Sequence, residues 1–155
     1  MYSVIFVCTG NQCRSPMAEG ILRSTLLRLG RNGISVCSMG THAPEGCNAS
    51  SNAIATCAEN AVDIAKHRSR PLAFDELKKA DFIFVMEKFH REYLRTLFPQ
   101  AAEKTVLLAA WPGKDNDGGD IPDPIGGSAD DYRKTYRLIA DHVDRILPFL
   151  CARLV

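Results

Sequence analysis

The sequence predicts an α/β domain of three layers, a four-stranded parallel sheet with helices on both of its faces. Short apolar runs typical of buried strands alternate with longer segments whose apolar residues recur at helical spacing. The chain has 155 residues, of which 46% are hydrophobic and 24% charged, and this is enough for one domain with a substantial core. No repeat, low-complexity segment or linker interrupts the pattern. We therefore predict a single domain over residues 1–155.

Four apolar runs predict the strands. They lie at residues 4–7, 34–38, 81–86 and 105–108. A segment of helical character follows each of them. Continuous apolar strands joined by helices are typical of a parallel sheet that is buried on both faces, and this is why we expect helices on both sides.

Five segments predict the helices, at residues 16–29, 50–62, 74–80, 87–97 and 128–150. The first is followed by Gly-Arg-Asn-Gly, which is a good stop signal. The last carries an apolar stripe at alternating spacings of four and three residues. Because Tyr132 and Tyr136 belong to that stripe, we predict that they pack in the core. A loop rich in Gly and Asp is predicted at 111–120.

The first strand and the first helix are joined by a loop that begins with Cys8 and contains Arg14. Successive backbone N–H groups in such a loop, with the N-terminus of the next helix, form an anion-binding nest. We expect residues 9–13 to supply N–H groups and Arg14 to grip two phosphate oxygens with its planar guanidinium. The same positive surroundings should favour the thiolate form of Cys8. A thiolate at the bottom of a phosphate-sized cradle is a nucleophile directed at phosphorus.

Two features of this loop concern its conformation. Gly10 and Asn11 suit the positive φ angles that a tight nest needs. Ser15 either donates its hydroxyl to the thiolate or caps the helix, with Pro16 at the first helical position. These two roles of Ser15 are compatible. A Walker A loop is excluded, since no Gly-Lys-Ser/Thr ending is present.

Composition excludes several classes of function. A formal net charge of +1 argues against a partner attracted by bulk charge, such as a nucleic acid or a membrane surface. No apolar run approaches the roughly 20 residues of a membrane span, and no signal peptide precedes the first strand. The six cysteines are spread through the strand and helix pattern without a CxxC pair. We therefore expect reduced thiols in a cytoplasmic enzyme.

The segment Cys-Thr-Gly-Asn-Gln-Cys-Arg-Ser-Pro-Met-Ala-Glu at residues 8–19 resembles the signature of the low-molecular-weight protein-tyrosine-phosphatase family. Asp123-Pro124 is similar to the aspartate-proline loop of that family, which carries a general acid. The resemblance implies that Cys8 forms a phosphocysteine, that Asp123 acts as general acid and then general base, and that Arg14 stabilises the phosphoryl oxygens. It implies phosphate binding by Thr9, Gly10, Asn11, Gln12, Cys13, Arg14 and Ser15. No metal or other cofactor is expected, because the nest and Arg14 neutralise the charge and the sequence offers no ligand cluster.

The resemblance also implies supporting residues. Ser38 would hold Asn11 in its strained conformation, and His67 would buttress the phosphate loop from behind. Arg70, in the same basic turn as His67, is expected to be solvated. Cys13 would form a reversible disulfide with Cys8 that protects the nucleophile, or would only fill space in the loop.

Three substrate classes remain open within the family, which also includes bacterial protein-arginine phosphatases and thioredoxin-coupled arsenate reductases. Phosphotyrosine on a protein is our first expectation, with Ile125 as an apolar wall. Phosphoarginine is the alternative, because residues 123–128 resemble the arginine-phosphatase version and Gln12 matches neither branch. An arsenate reductase would need resolving cysteines near the third strand, and residues 81–98 contain none. We also expect a monomer that binds inorganic phosphate or another oxyanion in the loop.

Overall fold

A computed structural model describes residues 1–113 and 118–154 of the chain. Within these residues four strands form one parallel sheet in the order β2-β1-β3-β4. They are β1 (Tyr2–Cys8), β2 (Ile34–Gly40), β3 (Phe82–Val85) and β4 (Thr105–Leu107). The predicted loop at 111–120 lies partly outside the described residues.

Five α-helices connect and cover these strands in the described part of the chain. They are α1 (Arg14–Arg28), α2 (Ser51–Glu59), α3 (Phe74–Lys79), α4 (Lys88–Leu97) and α5 (Ala129–Cys151). Short 3-10 segments lie at Pro99–Lys104 and Ala152–Leu154. No helix in the described ranges has both the length and the apolar character needed to cross a membrane.

The core has two parts, one on each face of the sheet. Along β1, Val4 and Phe6 belong to one buried apolar cluster and Ile5 and Val7 to the other. Alternation along a strand places successive side chains on opposite faces. Residues of α1, α2 and α5 complete the first cluster, and residues of α3 and α4 complete the second. The predicted fold of a parallel sheet between two helical layers is confirmed.

The order of the strands decides where a site can lie. From β1 the chain crosses through α1 to β2 on one side, and from β2 it crosses to β3 on the other side of β1. Connections therefore leave in opposite directions beside the carboxyl end of β1, and open α/β sheets bind ligands at such a switch point. The loop after Cys8 begins there.

The boundary of α1 differs from the prediction. The helix begins at Arg14, two residues earlier than expected, and its N-cap residue is Cys13. Pro16 is therefore the third helical residue, and Ser15 is not the cap. Cys13 makes no side-chain capping hydrogen bond, so no typical capping residue marks the start of the helix.

Candidate active site

Four peptide carbonyls on the outer side of the loop after β1 accept hydrogen bonds from other parts of the chain. The carbonyls of Cys8 and Thr9 accept hydrogen bonds from the backbone N–H groups of residues 41 and 42, each at 2.9 Å. The carbonyl of Asn11 accepts one from His67 Nε2 at 2.8 Å, and that of Gln12 accepts one from the N–H of Ser50 at 2.9 Å. In a trans peptide the carbonyl and the following N–H point in opposite directions. The N–H groups that follow these four carbonyls are therefore turned towards the inner side, as an anion nest requires.

Asn11 fixes the shape of the loop from within. It is fully buried and has a φ of 53°, in the left-handed region. Its Nδ2 donates to the hydroxyls of Ser15 at 2.8 Å and Ser38 at 2.9 Å. Its Oδ1 accepts from the backbone N–H of Arg70 at 3.0 Å. These contacts compensate the left-handed backbone, which Asn tolerates better than most residues. Gly10, for which a positive φ was also predicted, does not have one, so that part of the prediction is wrong.

The Cys8 sulfur lies 2.9 Å from the hydroxyl oxygen of Ser15. Because that oxygen accepts a hydrogen bond from Asn11, the hydroxyl proton is available to the sulfur. The carbonyl oxygen of Met39 is a more distant acceptor at 3.5 Å. Of the two roles predicted for Ser15, the contact with the cysteine is therefore the one that the structure contains.

Arg14 is held over the loop on three sides and is 1% exposed. Its Nη1 forms an ion pair with Glu87 and donates to the carbonyl of Ile121 at 2.9 Å. Its Nη2 lies 3.4 Å from Oδ2 of Asp123. Its Nε has no hydrogen-bond partner in the described residues although it is buried. A buried guanidinium N–H without a protein acceptor is suited to an anionic ligand.

Asp123 lies at the mouth of the same cavity. Its side chain is 36% exposed, and its Oδ1 accepts a hydrogen bond from the backbone N–H of Ile125 at 3.1 Å. This Asx turn orients the carboxyl, and the following Pro124 restricts the backbone on that side. The carboxyl can thus face both the solvent and the nest.

The cavity has a volume of about 210 Å³. Its lining includes the nest, the Cys8 sulfur, the Arg14 guanidinium and the Asp123 carboxyl. The residues that line it are Cys8, Thr9, Gly10, Gln12, Cys13, Arg14, Asp123 and Ile125. Gln12 donates weakly from Nε2 to the carbonyl of Asn48 at 3.3 Å. Ile125 is 59% exposed and forms an apolar part of the wall. No aromatic residue lines this cavity in the described chain.

Cys13 is buried beside the nest and contributes to the cavity lining. Its sulfur is 3.4 Å from the hydroxyl of Ser50 and 3.3 Å from that of Tyr132. Burial raises the pKa of the Cys13 thiol, and burial likewise raises the pKa of Tyr132 to about 12. Tyr132 is buried as predicted, and in addition its hydroxyl accepts a hydrogen bond from that of Ser50 at 3.1 Å, next to the site. Cys8 and Cys13 are both free thiols in this structure, and the disulfide between them stays a prediction.

A second group of residues supports the nest from the side opposite the cavity. The hydroxyl of Ser38 donates to Glu19 at 2.5 Å, and the carboxylate of Glu19 lies 3.9 Å from Nδ1 of His67. Arg70 donates from Nε to the carbonyl of Ser38 at 3.2 Å and pairs with Glu76 at 2.6 Å. Arg70 was predicted to be solvated, but its side chain is only 33% exposed because Ser38 and Glu76 bind it, and its backbone N–H holds Asn11. A separate groove of about 570 Å³ is bordered by Glu19, Ser38, His67 and Arg70, and none of the cavity residues named above lines it.

Two residues of the site were not singled out as part of it by sequence analysis. Gly40, at the end of β2, allows close approach, since a Cβ there would lie 2.5 Å from the carbonyl oxygen of Thr9. His90, on α4, is fully buried and contacts the Thr9 hydroxyl. The position of Gly40, a glycine at a strand end beside the loop, could have indicated its role in the site. No local sequence feature indicates that His90 belongs to the site. No group of three or more His, Cys, Asp or Glu side chains able to hold a metal occurs in the described residues.

The family model for low molecular weight phosphotyrosine protein phosphatase matches residues 3–154. The chain belongs to this family. A protein-arginine-phosphatase of Geobacillus stearothermophilus is 36% identical to this low-molecular-weight phosphatase over 146 residues, which are 94% of this chain and 93% of that protein. The predicted resemblance is thus confirmed.

Solved structures agree in fold. A low molecular weight protein tyrosine phosphatase from T. tengcongensis is 36% identical and superposes with a TM-score of 0.89, covering 96% of this chain and 99% of that chain. A YwlE arginine phosphatase, solved as a cysteine-to-serine mutant with a phosphorylated active-site serine, is 30% identical with a TM-score of 0.89 and covers 96% and 95%. This low-molecular-weight phosphatase is therefore similar to enzymes named for two different phosphorylated residues.

Proposed function

We propose that this low-molecular-weight phosphatase hydrolyses phosphotyrosine in proteins through a phosphocysteine intermediate on Cys8. The observation that carries the proposal is the convergence of the Cys8 sulfur, the Arg14 guanidinium and the Asp123 carboxyl on one cavity above a backbone nest. A nucleophile, a cation for the transferring group and a proton donor are the parts that phosphoryl transfer requires.

In the first step the Cys8 thiolate attacks phosphorus, and the bond from phosphorus to the tyrosine oxygen breaks. Asp123, in its protonated form, gives its proton to that leaving oxygen. The position of the Asp123 carboxyl at the mouth of the cavity, 3.4 Å from Arg14 Nη2, supports this role as proton donor. The products of this step are the dephosphorylated tyrosine and a phosphocysteine.

In the second step a water molecule attacks the phosphocysteine and Asp123 accepts its proton. The sulfur leaves as a thiolate, and the Ser15 hydroxyl at 2.9 Å donates a hydrogen bond to it. Phosphate is released with the enzyme in its starting form. In both steps the inner N–H groups of the nest and Arg14 stabilise the charge on the three equatorial oxygens. The phosphorylated active-site serine of the YwlE mutant supports a phosphoenzyme at the corresponding position.

Phosphoarginine is the second candidate substrate, and three observations favour it. The cavity has no aromatic lining residue on which a tyrosine ring would stack. Gln12 uses its Nε2 for a weak hydrogen bond, so its Oε1 is available to accept from guanidinium N–H groups. The Geobacillus relative is named an arginine phosphatase. Ile125 provides an apolar surface that suits the ring of tyrosine and the methylenes of arginine alike.

We further propose that the enzyme acts as a monomer on phosphorylated proteins in the cytoplasm and binds inorganic phosphate in the nest. All six cysteines are free, which is the usual state in a reducing compartment.

The test is kcat/KM measured on two peptides that differ in one residue, phosphotyrosine or phosphoarginine, with the Cys8→Ser protein as the blank. We expect turnover of phosphotyrosine peptide by the wild-type enzyme and none by Cys8→Ser, which should still bind phosphate. A strong preference for the phosphoarginine peptide would reverse the order of the two substrates. Turnover of both peptides by Cys8→Ser would refute the nucleophile assignment.

The role proposed for Asp123 has its own test. Asp123→Ala removes the proton donor, so the loss of kcat, of the order of 100-fold or more, should be largest for phenyl phosphates with poor leaving groups. The neighbouring exposed Asp130→Ala serves as control, since its carboxylate pairs with Arg133 away from the cavity. An equal loss for good and poor leaving groups would show that Asp123 does not donate a proton.

A further inference from the structure

His90 is a fully buried histidine in the first turn of α4. Its Nδ1 accepts a hydrogen bond from the backbone N–H of Glu87 at 3.0 Å. A backbone N–H can only donate, so Nδ1 carries a lone pair. In the neutral ring the proton must then be on Nε2.

The surroundings of the ring favour this neutral form. Burial and, to a smaller extent, the nearby positive charge of Arg14 together lower the pKa of His90 to about 4, against an opposing effect of Asp120. The charge of His42 adds to the lowering of this pKa. At neutral pH the ring therefore has one N–H donor, at Nε2, and one acceptor, at Nδ1.

The Nε2 atom lies 2.8 Å from the hydroxyl oxygen of Thr9. With the proton on Nε2, the histidine donates and the Thr9 oxygen accepts. No group in the described chain accepts a hydrogen bond from the Thr9 hydroxyl. The proton of that hydroxyl is therefore free to bind a ligand. Thr9 follows Cys8 directly and lines the cavity with Cys8 and Arg14.

We propose that the Thr9 hydroxyl donates a hydrogen bond to the phosphoryl group bound in the cavity, and that His90 is the positioning residue that fixes this direction. Without a donor beside it, the Thr9 hydroxyl could turn its proton either towards the ring or towards the cavity. The donation from His90 occupies an oxygen lone pair and leaves the proton directed away from the ring. Thr9 thereby adds a side-chain donor to those of the backbone nest.

The same turn of chain also holds Arg14. The N–H of Glu87 binds His90, while the carboxylate of Glu87 forms the ion pair with Arg14. One short segment, the start of α4, therefore orients two donors of the cavity, the Arg14 guanidinium directly and the Thr9 hydroxyl through His90. This inference rests on the proposed function, since it assumes that a phosphoryl group occupies the cavity.

The experiment uses the matched variants His90→Asn and His90→Gln. The amide oxygen of Asn lies near the position of Nδ1 and keeps the acceptor for Glu87 but does not reach Thr9. The amide nitrogen of Gln lies near the position of Nε2 and keeps the donor to Thr9. Inorganic phosphate is the probe, and its dissociation constant is measured by calorimetry on the full chain.

We expect His90→Asn and Thr9→Val to weaken phosphate binding about tenfold, the scale of a hydrogen bond to a charged group, and His90→Gln and Thr9→Ser to stay within about twofold of wild type. A role of His90 limited to the helix N-terminus predicts the reverse order, with His90→Asn near wild type and His90→Gln impaired. That reversed order, or equal impairment of both His90 variants, would overturn the positioning role.

The Thr9 pair decides the matter independently of the stability of the His90 variants. Unchanged phosphate binding by Thr9→Val would overturn the proposed hydrogen bond, whatever the histidine variants do. Failure of the wild-type protein to bind phosphate and to turn over either phosphopeptide would instead refute the proposed function. The two failures are therefore distinguishable in one set of measurements.

Discussion

Replacement of Asn11 by alanine should cause a large loss in the free energy of unfolding, although Asn11 is not one of the reacting groups. The Asn11 side chain is fully buried and binds two hydroxyls and one backbone N–H. Asn11→Ala removes all three hydrogen bonds and leaves the N–H of Arg70 without its acceptor. It also places alanine at a φ of 53°, which alanine disfavours more than asparagine does.

The expected loss follows from these contacts. Three hydrogen bonds at about 1 kcal/mol each, with an added penalty for the unsatisfied N–H and the left-handed alanine, give a loss of about 3–5 kcal/mol in the free energy of unfolding. For a protein of this size each kcal/mol lowers the melting temperature by about 2–4 °C, so a decrease of about 10 °C is expected.

The assay is urea unfolding of the wild type and three variants at neutral pH. Ser38→Ala removes one partner of Asn11 and also the hydrogen bond that Ser38 donates to Glu19, so it should lose about 2 kcal/mol by the same accounting. Asn48→Ala changes an exposed asparagine and should stay within about 0.5 kcal/mol of wild type. If Asn11→Ala loses less than Ser38→Ala does, Asn11 does not hold the loop and the reasoning is refuted.

Two further predictions concern the edges of the nest. Gly40→Ala would place a Cβ 2.5 Å from the Thr9 carbonyl oxygen and 3.0 Å from the Asn11 nitrogen, so the loop must move and kcat/KM should fall about 100-fold. Gly119→Ala, where a Cβ meets nothing within 4 Å, is the control, and equal activity of the two variants would contradict the crowding argument. His90 has a pKa of about 4 in the folded state against an ordinary value of 6.5. Between these two pH values the unfolded chain therefore binds one proton more than the folded chain does. Its contribution, at most about 3 kcal/mol, is complete above pH 6.5 and is lost as the pH falls towards 4; an unfolding free energy of His90→Gln with the same pH dependence as wild type would show that His90 is not its source.

The fold was predictable because its signals are local. The apolar run at residues 4–7 is buried on both faces of the sheet, as a central parallel strand must be. The stripe on α5 packs as its spacing indicates. The start of α1 was misplaced because Ser15 and Pro16 are typical of a helix start, whereas the actual cap, Cys13, has no side-chain capping bond.

The site was predictable where its parts are contiguous and unpredictable where they meet only through the fold. Cys8, Arg14 and Ser15 lie in one short segment, and their geometry follows from the strand, loop and helix. The contact of Arg14 with Glu87 spans 73 positions and that of Thr9 with His90 spans 81. Composition and spacing carry no information on such pairs. For the same reason the basic turn at Arg70 was predicted to be solvated although it supports Asn11.

The long-range contacts explain how the nest keeps its shape. Inward N–H groups repel one another, and a free loop would relax by turning some of them away. Here the opposite ends of those peptides are bound by donors that follow β2, precede α2 and lie in the turn at His67. Each donor belongs to a different part of the fold, so no single local movement releases the loop. The free energy needed to orient these N–H dipoles towards one point is thus supplied by folding. A phosphoryl group that enters the cavity then meets donors that are already oriented. Such preorganisation is the condition for strong electrostatic stabilisation of a transition state.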